Sequence, residues 1–365
     1  MNPTPEQADL RAAARDVLAK RSTSAAIRDA MVTAAGFDTA LWKELSALGW
    51  PGMIVPEQFG GTGLGWVEAS ILFEEAGRHL LCAPLLSTTL GITAILEGGD
   101  ERQQQAWLPG LAAGDVRATV ALPHSLERPP SVQLVDGVLR GTATLVVDGA
   151  TADLLIVAAR DADDTITPVV IDAATSGVNA QSVDVMDQTR HLADVTFDGA
   201  EATETLSGGT ELLAHLQHVA ATLLANEQVG VAARALDEST AYAKTRLQFG
   251  RAIGSFQAVK HRLADGLVRV EAARSVAMHA AQTLADDDRV ELAIAAPMAR
   301  SLCSGAVRQL TADNIQIHGG IGFTWEHDAH LAFKRAESSR HLFGSPEQHR
   351  AALAQALGWR KAATP

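Results

Sequence analysis

The chain has 365 residues, enough for two or three domains at roughly 100–200 residues each. Apolar residues make up 47% and charged residues 20%, an ordinary globular balance that excludes disorder, and 30 basic against 43 acidic residues give a formal charge of −13 that argues against a nucleic-acid surface. Only Cys82 and Cys303 occur, so no disulfide framework and a reducing cytoplasm are expected; 9 Phe, 6 Trp and 1 Tyr leave few rings to line a flat-ligand site.

Met1 to Asp16 is charged throughout and lacks the apolar core of a targeting signal. From Pro5 to about Gly114, apolar residues recur at helical spacing: Leu10, Ala13, Ala14, Val17 and Leu18, then Leu41, Leu45 and Leu48. The turn-rich Phe59-Gly60-Gly61-Thr62-Gly63 precedes a helix over 68–81. The apolar stretch 80–96 is broken by Pro84, Ser87, Thr88 and Thr89, and it reads as a buried helix rather than a membrane span. A short helix over 106–113 closes at Gly114-Asp115.

From Val116 to about Gly199 short β-branched runs replace the helical period. Residues 142–147, 154–157 and 166–171 alternate with Asp-Gly turns at Asp136-Gly137 and Asp148-Gly149, which predicts an antiparallel β-domain rather than βαβ units. Helical period returns over 210–245, 254–286, 288–315 and 346–357. Thr210 is a candidate cap, Pro346 a first-turn proline, and 361–365 a frayed tail. The expected fold is therefore α+β and multidomain: a helical domain over 1–115, a middle antiparallel β-domain over 116–205, and a C-terminal four-helix bundle over 206–365.

Chemistry concentrates in the last third. The run from Tyr242 to Gln257 ends one long helix, turns through Gly250 between Arg246 and Arg251, and starts another helix whose N-terminal amides favour anions. Arginine beside exposed amides suits a pyrophosphate, although a plain helical hairpin has the same pattern. Gln316-Ile-His-Gly-Gly-Ile-Gly-Phe323 packs three glycines into four positions, so a backbone there can approach a ligand closely; alone, a Gly-Gly pair also simply ends a helix.

Taken together, these runs resemble the acyl-CoA dehydrogenase family. The resemblance extends to Val55-Pro-Glu-Gln-Phe-Gly-Gly-Thr-Gly63 and to Gln105-Ala-Trp-Leu-Pro-Gly-Leu-Ala-Ala-Gly114, and so covers nearly the whole chain. It implies a tetramer of α–β–α subunits that bind FAD and an acyl-CoA thioester. In the family, a glutamate takes the α-proton while a hydride passes from the β-carbon to the flavin, and an electron-transfer flavoprotein accepts the electrons. Carried over residue by residue, Arg246, Gln248, Phe249 and Gln257 would hold the pyrophosphate and adenosine of a neighbouring subunit's FAD. Gln316, Ile317, Gly319 and Gly320 would meet its adenine end.

The rest of the family's site departs from this pattern. Its Thr-Glu-Pro-x-Ala-Gly-Ser-Asp run, which meets the flavin ring and substrate carbonyl, corresponds to Ala121-Leu-Pro-His-Ser-Leu-Glu-Arg-Pro-Pro130, where only the proline survives. Its Trp-Ile-Thr-Asn-Gly run reads Leu145-Val-Val-Asp-Gly149, so Leu145 stands for the aromatic platform and Val147 for the hydroxyl. The base of its Tyr-Glu-Gly-Thr motif falls on Phe343, and the alternative base position on the first helix of the last domain falls on Ala220; neither accepts a proton. Glu227, seven residues beyond Ala220 on an otherwise apolar helix face, is either a relocated base or the partner of an arginine across a subunit contact, and the ion pair is favoured. Glu347 is expected to be a solvated first-turn acid, and His261 and His318 to be packing or hydrogen-bonding residues.

Three readings compete. The first is a base-lacking partner of a catalytic acyl-CoA dehydrogenase subunit in an α2β2 complex, like those acting on steroid side chains, lending cofactor contacts across the interface. The second is a self-sufficient dehydrogenase using Glu227, and the third a non-redox acyl-CoA-binding or scaffold protein.

Overall fold

The computed structural model describes residues 3–124 and 129–359. Helices come first: α1 (Pro5–Arg21), α2 (Ser24–Met31), α3 (Thr39–Ala47), α4 (Trp66–Arg78), α5 (Leu85–Gly98) and α6 (Glu101–Ala112). Strands follow: β1 (Ala118–Ala121), β2 (Val132–Val135), β3 (Val138–Val147), β4 (Leu154–Arg160), β5 (Ile166–Asp172), β6 (Val178–Val183), β7 (Leu192–Glu201) and β8 (Glu204–Thr205). Then come α7 (Gly209–Thr245), a small hairpin of β9 (Leu247–Gln248) and β10 (Arg251–Ala252), α8 (Gln257–Ala285), α9 (Arg289–His318), α10 (Ala329–Ser339) and α11 (Pro346–Ala356). The order of helices, strands and helices is the one the periodicity predicts. The expected frayed tail, 361–365, lies outside the described residues.

Several helix ends follow from their sequence. Thr4 and Gln7 form a capping box before Pro5, as Asp100 and Gln103 do for α6 and Ser345 and Gln348 for α11, whose first residue is the expected Pro346. Thr210 is not a cap. The chain enters α7 through Gly208 and Gly209, both in the left-handed region at φ 88° and 45°, and the Gly208 carbonyl accepts the first helical bond from Leu212 N at 3.1 Å. The apolar stretch expected as a helix from Leu80 begins its helix only at Leu85, because Leu80 sits at φ 48° and Pro84 precedes the first turn. Nearly all of α5 is buried. One segment, Arg289–Phe323, is long and apolar enough to cross a membrane by length and composition, but 56% of its apolar window is buried inside the protein.

Contacts divide the chain into two compact units, one formed by the residues up to Ile27, Ser70–Leu81 and everything from Ala221, the other by Arg28–Ala69 and Cys82–Ala220. The second unit holds a sheet in the order β6-β7-β3-β2-β4-β5-β8, with β1 added on β4. Most neighbours are antiparallel, as expected, but β1 and β2 both pair with β4 in parallel. The departure has a physical reason: β1 and most of β4 are buried along their length, and strands covered on both faces read as continuous apolar runs suited to parallel pairing. Leu139, Val146, Leu155, Val157, Val169, Val195 and Phe197 form the core beside the sheet.

In the first unit α7, α8 and α9 meet along a seam of small residues, including Ala225, Ala273, Ala277, Ala280, Ala295, Ala299 and Cys303. Burial pushes the Cys303 thiol up to about 12, against the pull of the Arg300 charge. The tightest approach in this unit is that of α4 to α7. A Cβ on Gly77 would lie 2.0 Å from the Glu227 carbonyl oxygen, and one on Gly230 would lie 1.8 Å from that of Glu74.

This crossing buries the acids beside it. Glu74 is 4% exposed and Glu75 fully covered, and arginines from other helices meet them: Arg11 Nη1 and Arg274 Nε lie 2.8 and 3.1 Å from Glu74, and Arg15 Nε and Nη2 donate to both oxygens of Glu75 at 2.9 and 2.7 Å. Burial raises the pKa of Glu75, but the guanidiniums of Arg15 and Arg11 outweigh it and hold the carboxyl below its usual range.

Two outcomes are expected. Gly230→Ala forces backbone apart and should cost at least the usual overpacking penalty of about 1–3 kcal/mol, read as a lower urea midpoint at unchanged m-value. A depressed folded-state pKa stabilises the fold above the unfolded value and loses that stabilisation as pH falls through the folded one. The gap in Tm between wild type and Arg15→Ala should therefore be widest near neutrality and close as pH falls below about 4; a gap that widens in acid contradicts the assignment.

Candidate cofactor-binding site

The first arm leaves the end of α7. Its hairpin pairs Arg251 with Gln248 and Ala252 with Leu247, and its two-residue turn, Phe249-Gly250, lies in the left-handed region at φ 52° and 75°, the geometry of the tightest hairpin turns. A phenylalanine is costly there, and its ring is 91% exposed. The Arg251 guanidinium lies 4.1 Å from the Phe256 ring centre, and the Phe249 ring meets the same ring edge-on at 6.1 Å. Phe256 is also the N-cap residue of α8 and offers no side-chain acceptor, so the first amides of that 29-residue helix stay open for an anion.

The second arm continues α9. Gly319 ends the helix at φ 64°, and Gly319–Phe323 form a 3-10 turn. Gly322 packs against His318, where a Cβ would come within 2.9 Å, whereas a Cβ on Gly320 would meet nothing within 4 Å. The chain's own packing therefore gives no reason for a glycine at 320. Arg246, Gln248, Gln257 and Gln316 are all exposed, and among the described residues their side chains make no hydrogen bond or ion pair. Ile317, in the last turn of α9, is half-buried. Unpaired donors, open amides and an open glycine backbone fit the phosphate and adenosine end of a dinucleotide.

The strands of the other unit, where the flavin-ring contacts were expected, present a different surface. Leu145 lies at a bulge in the β3–β7 ladder, at φ 56°. Its amide donates to Asp194 Oδ1 at 2.9 Å, and its carbonyl accepts from His124 Nε2 at 2.8 Å. Val147 is buried, and its carbonyl accepts from Thr119 at 2.6 Å. Burial holds His124 below its usual pKa despite that bond to Leu145, which leaves the ring neutral with its proton on Nε2. The polar backbone at Leu145 is thus spent inside the chain, and positions 145 and 147 offer neither an aromatic platform nor a hydroxyl. A cavity of about 350 Å³ beside it is lined by Leu122, Pro123, His124, Thr144, Leu145 and their neighbours. Of the stretch 121–130, residues 125–128 lie outside the described residues. Leu145 and Val147 do not supply the ring and hydroxyl contacts expected there for a flavin.

Phe343 is fully enclosed, at 2% exposure, although its φ of 53° is a strained value for a bulky residue. The turn is pinned from two sides. His349 Nε2 donates to the Phe343 carbonyl at 3.1 Å, and the buried Arg300 donates to the carbonyls of Ser339 and Leu342 while also reaching Gln228 Oε1 at 2.9 Å and Ser304. Ala220 is a buried methyl on α7. Glu227 does have an arginine partner, but in its own chain and not across a subunit contact: Arg335 Nη1 lies 3.1 Å from Oε1, both side chains are at least nine-tenths buried, and Arg335 Nη2 donates to the Leu81 carbonyl. Glu347 is exposed, and bonds from its own backbone, then Ser345 and Arg350, hold it ionised below its usual pKa. His261 is exposed, and His318 is buried in a stack of rings.

Arg300 and Arg335 were invisible as site-shaping residues in the sequence. For Arg300 the signal was there: it is a lone cation within an apolar helical run, which has to find partners when buried, whereas Arg335 sits beside Lys334 and gives no such mark.

Two family profiles match the chain, "Acyl-CoA dehydrogenase, N-terminal domain" over residues 4–115 and "Acyl-CoA dehydrogenase, C-terminal domain" over residues 208–358. The chain belongs to the acyl-CoA dehydrogenase family. This is a family of FAD-dependent oxidoreductases. The acyl-CoA dehydrogenase IpdE2 of Mycobacterium tuberculosis is 36% identical over 356 residues, 95% of this chain and 96% of that protein. Among solved structures, the ChsE4-ChsE5 complex from Mycobacterium tuberculosis superposes with a TM-score of 0.91 at 28% identity, covering 99% of both chains. A variant of the Tcur3481-Tcur3483 steroid acyl-CoA dehydrogenase gives 0.89 at 30%, covering 97% of this chain and 98% of that one.

The Phe343 turn yields a test. Phe343→Ala removes a buried ring and should cost about 3–5 kcal/mol. Phe343→Gly removes the same ring but relieves the left-handed strain, and should be about 1 kcal/mol more stable than the alanine variant by urea denaturation.

Proposed function

We propose that this chain is the base-lacking subunit of a heteromeric acyl-CoA dehydrogenase, supplying adenosine and pyrophosphate contacts to the FAD of a catalytic partner. One contrast carries the reading: the two arms present unpaired polar groups outward, while the position of the family's base is filled by the enclosed ring of Phe343. In the assembled enzyme, the partner's FAD supplies the hydride acceptor for α,β-desaturation of an acyl-CoA thioester. Arg246 and the open amides at the start of α8 would neutralise the pyrophosphate, Gln248 and Gln257 would hydrogen-bond around it, and Phe249 would cover it from water. Gln316, Ile317, Gly319 and Gly320 would line the adenine. The resemblance to two-component assemblies, among them ChsE4-ChsE5 and the steroid enzyme Tcur3481-Tcur3483, supports an α2β2 complex and a steroid-derived acyl-CoA as substrate class. An electron-transfer flavoprotein is the acceptor that family likeness suggests. Two buried thiols suit the reducing cytoplasm.

The self-sufficient reading asks Glu227 to act as base while Arg335 occupies its carboxylate in a closed interior, and nothing in the geometry favours that.

Purified alone, the chain should be colourless and inactive. Co-expressed with its catalytic subunit, it should give a yellow tetramer holding one FAD per pair of chains, and Arg246→Ala should empty that site although the glutamate lies on the other chain. A lone chain that is yellow and oxidises acyl-CoA overturns the proposal. Glu227→Gln would then be expected to lower turnover by about 10²-fold or more. A chain that recruits no flavin with any partner points instead to the scaffold.

A further inference from the structure

The two arms are distant in sequence, one beginning after Thr245 and the other after His318, yet a shared site needs them in fixed register. The structure shows what sets that register. Near the end of α7 the Tyr242 ring stacks on His318, the last residue of α9, with ring centres 4.3 Å apart. His327, in the loop before α10, also meets the His318 ring, with centres 4.4 Å apart and the planes tilted by 48°. His318 is 7% exposed, and its Nδ1 donates to the Asn314 carbonyl at 2.9 Å, which fixes the ring plane. His327 Nδ1 accepts from the Ala329 amide at 3.1 Å and so ties the stack to the first turn of α10.

One turn back along both helices the join is polar. Asn314 is fully buried; its Nδ2 donates to Glu238 Oε2 at 3.0 Å, and Ser239 Oγ donates to its Oδ1 at 2.8 Å. Arg234, one turn further back, holds the other oxygen of Glu238 through Nε at 2.6 Å and reaches Asp328, beside His327, through Nη2 at 3.3 Å. Arg234, Glu238 and Tyr242 recur every four residues on one face of α7, as Asn314 and His318 do on α9. Both arms are folded back on the helix ends so joined. Gly254, just past the hairpin, lies so close to α7 that a Cβ would be 2.9 Å from the Ala243 carbonyl, and Gly322 lies as close to His318.

We infer that Tyr242, His318 and His327 form a clamp that locks the two cofactor arms into one register, so that neither arm orders without the other. They are positioning residues: none needs to touch the cofactor. A ladder slip of one residue on either helix would rotate an arm by about 100° and separate the unpaired side chains the site depends on. The cofactor part of this inference rests on the reading of the arms as a dinucleotide site; the coupling between arms does not.

Amide hydrogen exchange on the full chain tests the coupling directly. Tyr242→Ala should speed exchange by about tenfold or more in both 246–254 and 316–323 while leaving β4 unchanged, and Tyr242→Phe, which keeps the stack and loses only the hydroxyl, should exchange like wild type. His327→Ala, at the half-buried end of the stack, serves as a second variant and should loosen both arms as well. Loosening confined to the arm nearest the substitution overturns the clamp, as does a Tyr242→Phe chain that behaves like the alanine variant. In the complex with the catalytic subunit, Tyr242→Ala should lower FAD retention and Tyr242→Phe should restore it. If Arg246→Ala leaves FAD retention untouched while both arms still loosen together in Tyr242→Ala, the clamp stands and only the dinucleotide reading falls.

Discussion

The half of the molecule that carries the arms is organised by a place where no side chain fits. At the crossing of α4 and α7, Gly77 lies against the Glu227 carbonyl and Gly230 against that of Glu74, so each helix uses its glycine to admit the other's backbone. Helices packed this closely draw in the neighbours of their glycines, and those neighbours are acids. Glu74, Glu75 and Glu227 are all buried as a result. Water cannot solvate them, and a buried carboxylate without a partner costs several kcal/mol, so the chain answers with Arg11 and Arg15 from α1, Arg274 from α8 and Arg335 from α10. The glycines thus decide which helices must be tethered to the crossing.

The interior reached in this way is closed on its own terms. Arg300 spends its donors on Gln228, Ser304 and two backbone carbonyls, His349 holds the turn from the other side, and the ring of Phe343 completes the packing. The Leu145 bulge is equally self-contained, with both backbone groups bonded to side chains of its own unit. The arms, by contrast, carry exposed donors: among the described residues the side chains of Arg246, Gln248, Gln257 and Gln316 make no hydrogen bond or ion pair. Exposed, unpaired donors at the rim are what a subunit needs if its polar chemistry is to be completed by another molecule.

Much of this was legible in the sequence. The long C-terminal helices announce themselves by unbroken apolar period, the hairpin by Gly250 between cations, and the want of a proton acceptor at positions 343 and 220 by the plain chemistry of Phe343 and Ala220. Other features depend on distant partners and leave weak local marks. The start of α6 at Glu101 was missed because Gln103 to Gln105 look like surface, although Asp100 and Gln103 spell a capping box and Gln103 is buried against Glu204 and the Thr205 carbonyl. β6, half of whose six residues are polar, follows β7 rather than any period of its own. Parallel pairing of β1 and β2 with β4 is invisible locally, since register across a sheet is set by the partner strand. Glu227 stood out on its helix face, but nothing nearby in sequence names Arg335 as its partner, and the stack of Tyr242 on His318 joins residues that only the register of two long helices brings together.

The small-residue seam between α7, α8 and α9 has a practical corollary. Cys303 belongs to that seam, with a thiol that stays protonated at any physiological pH, and Cys82 is likewise covered, at 6% exposure. Alkylating dyes need an exposed thiolate. The native chain is therefore already a silent background for chemical labelling, and a single cysteine placed on either arm would carry a fluorophore or spin probe to that arm alone.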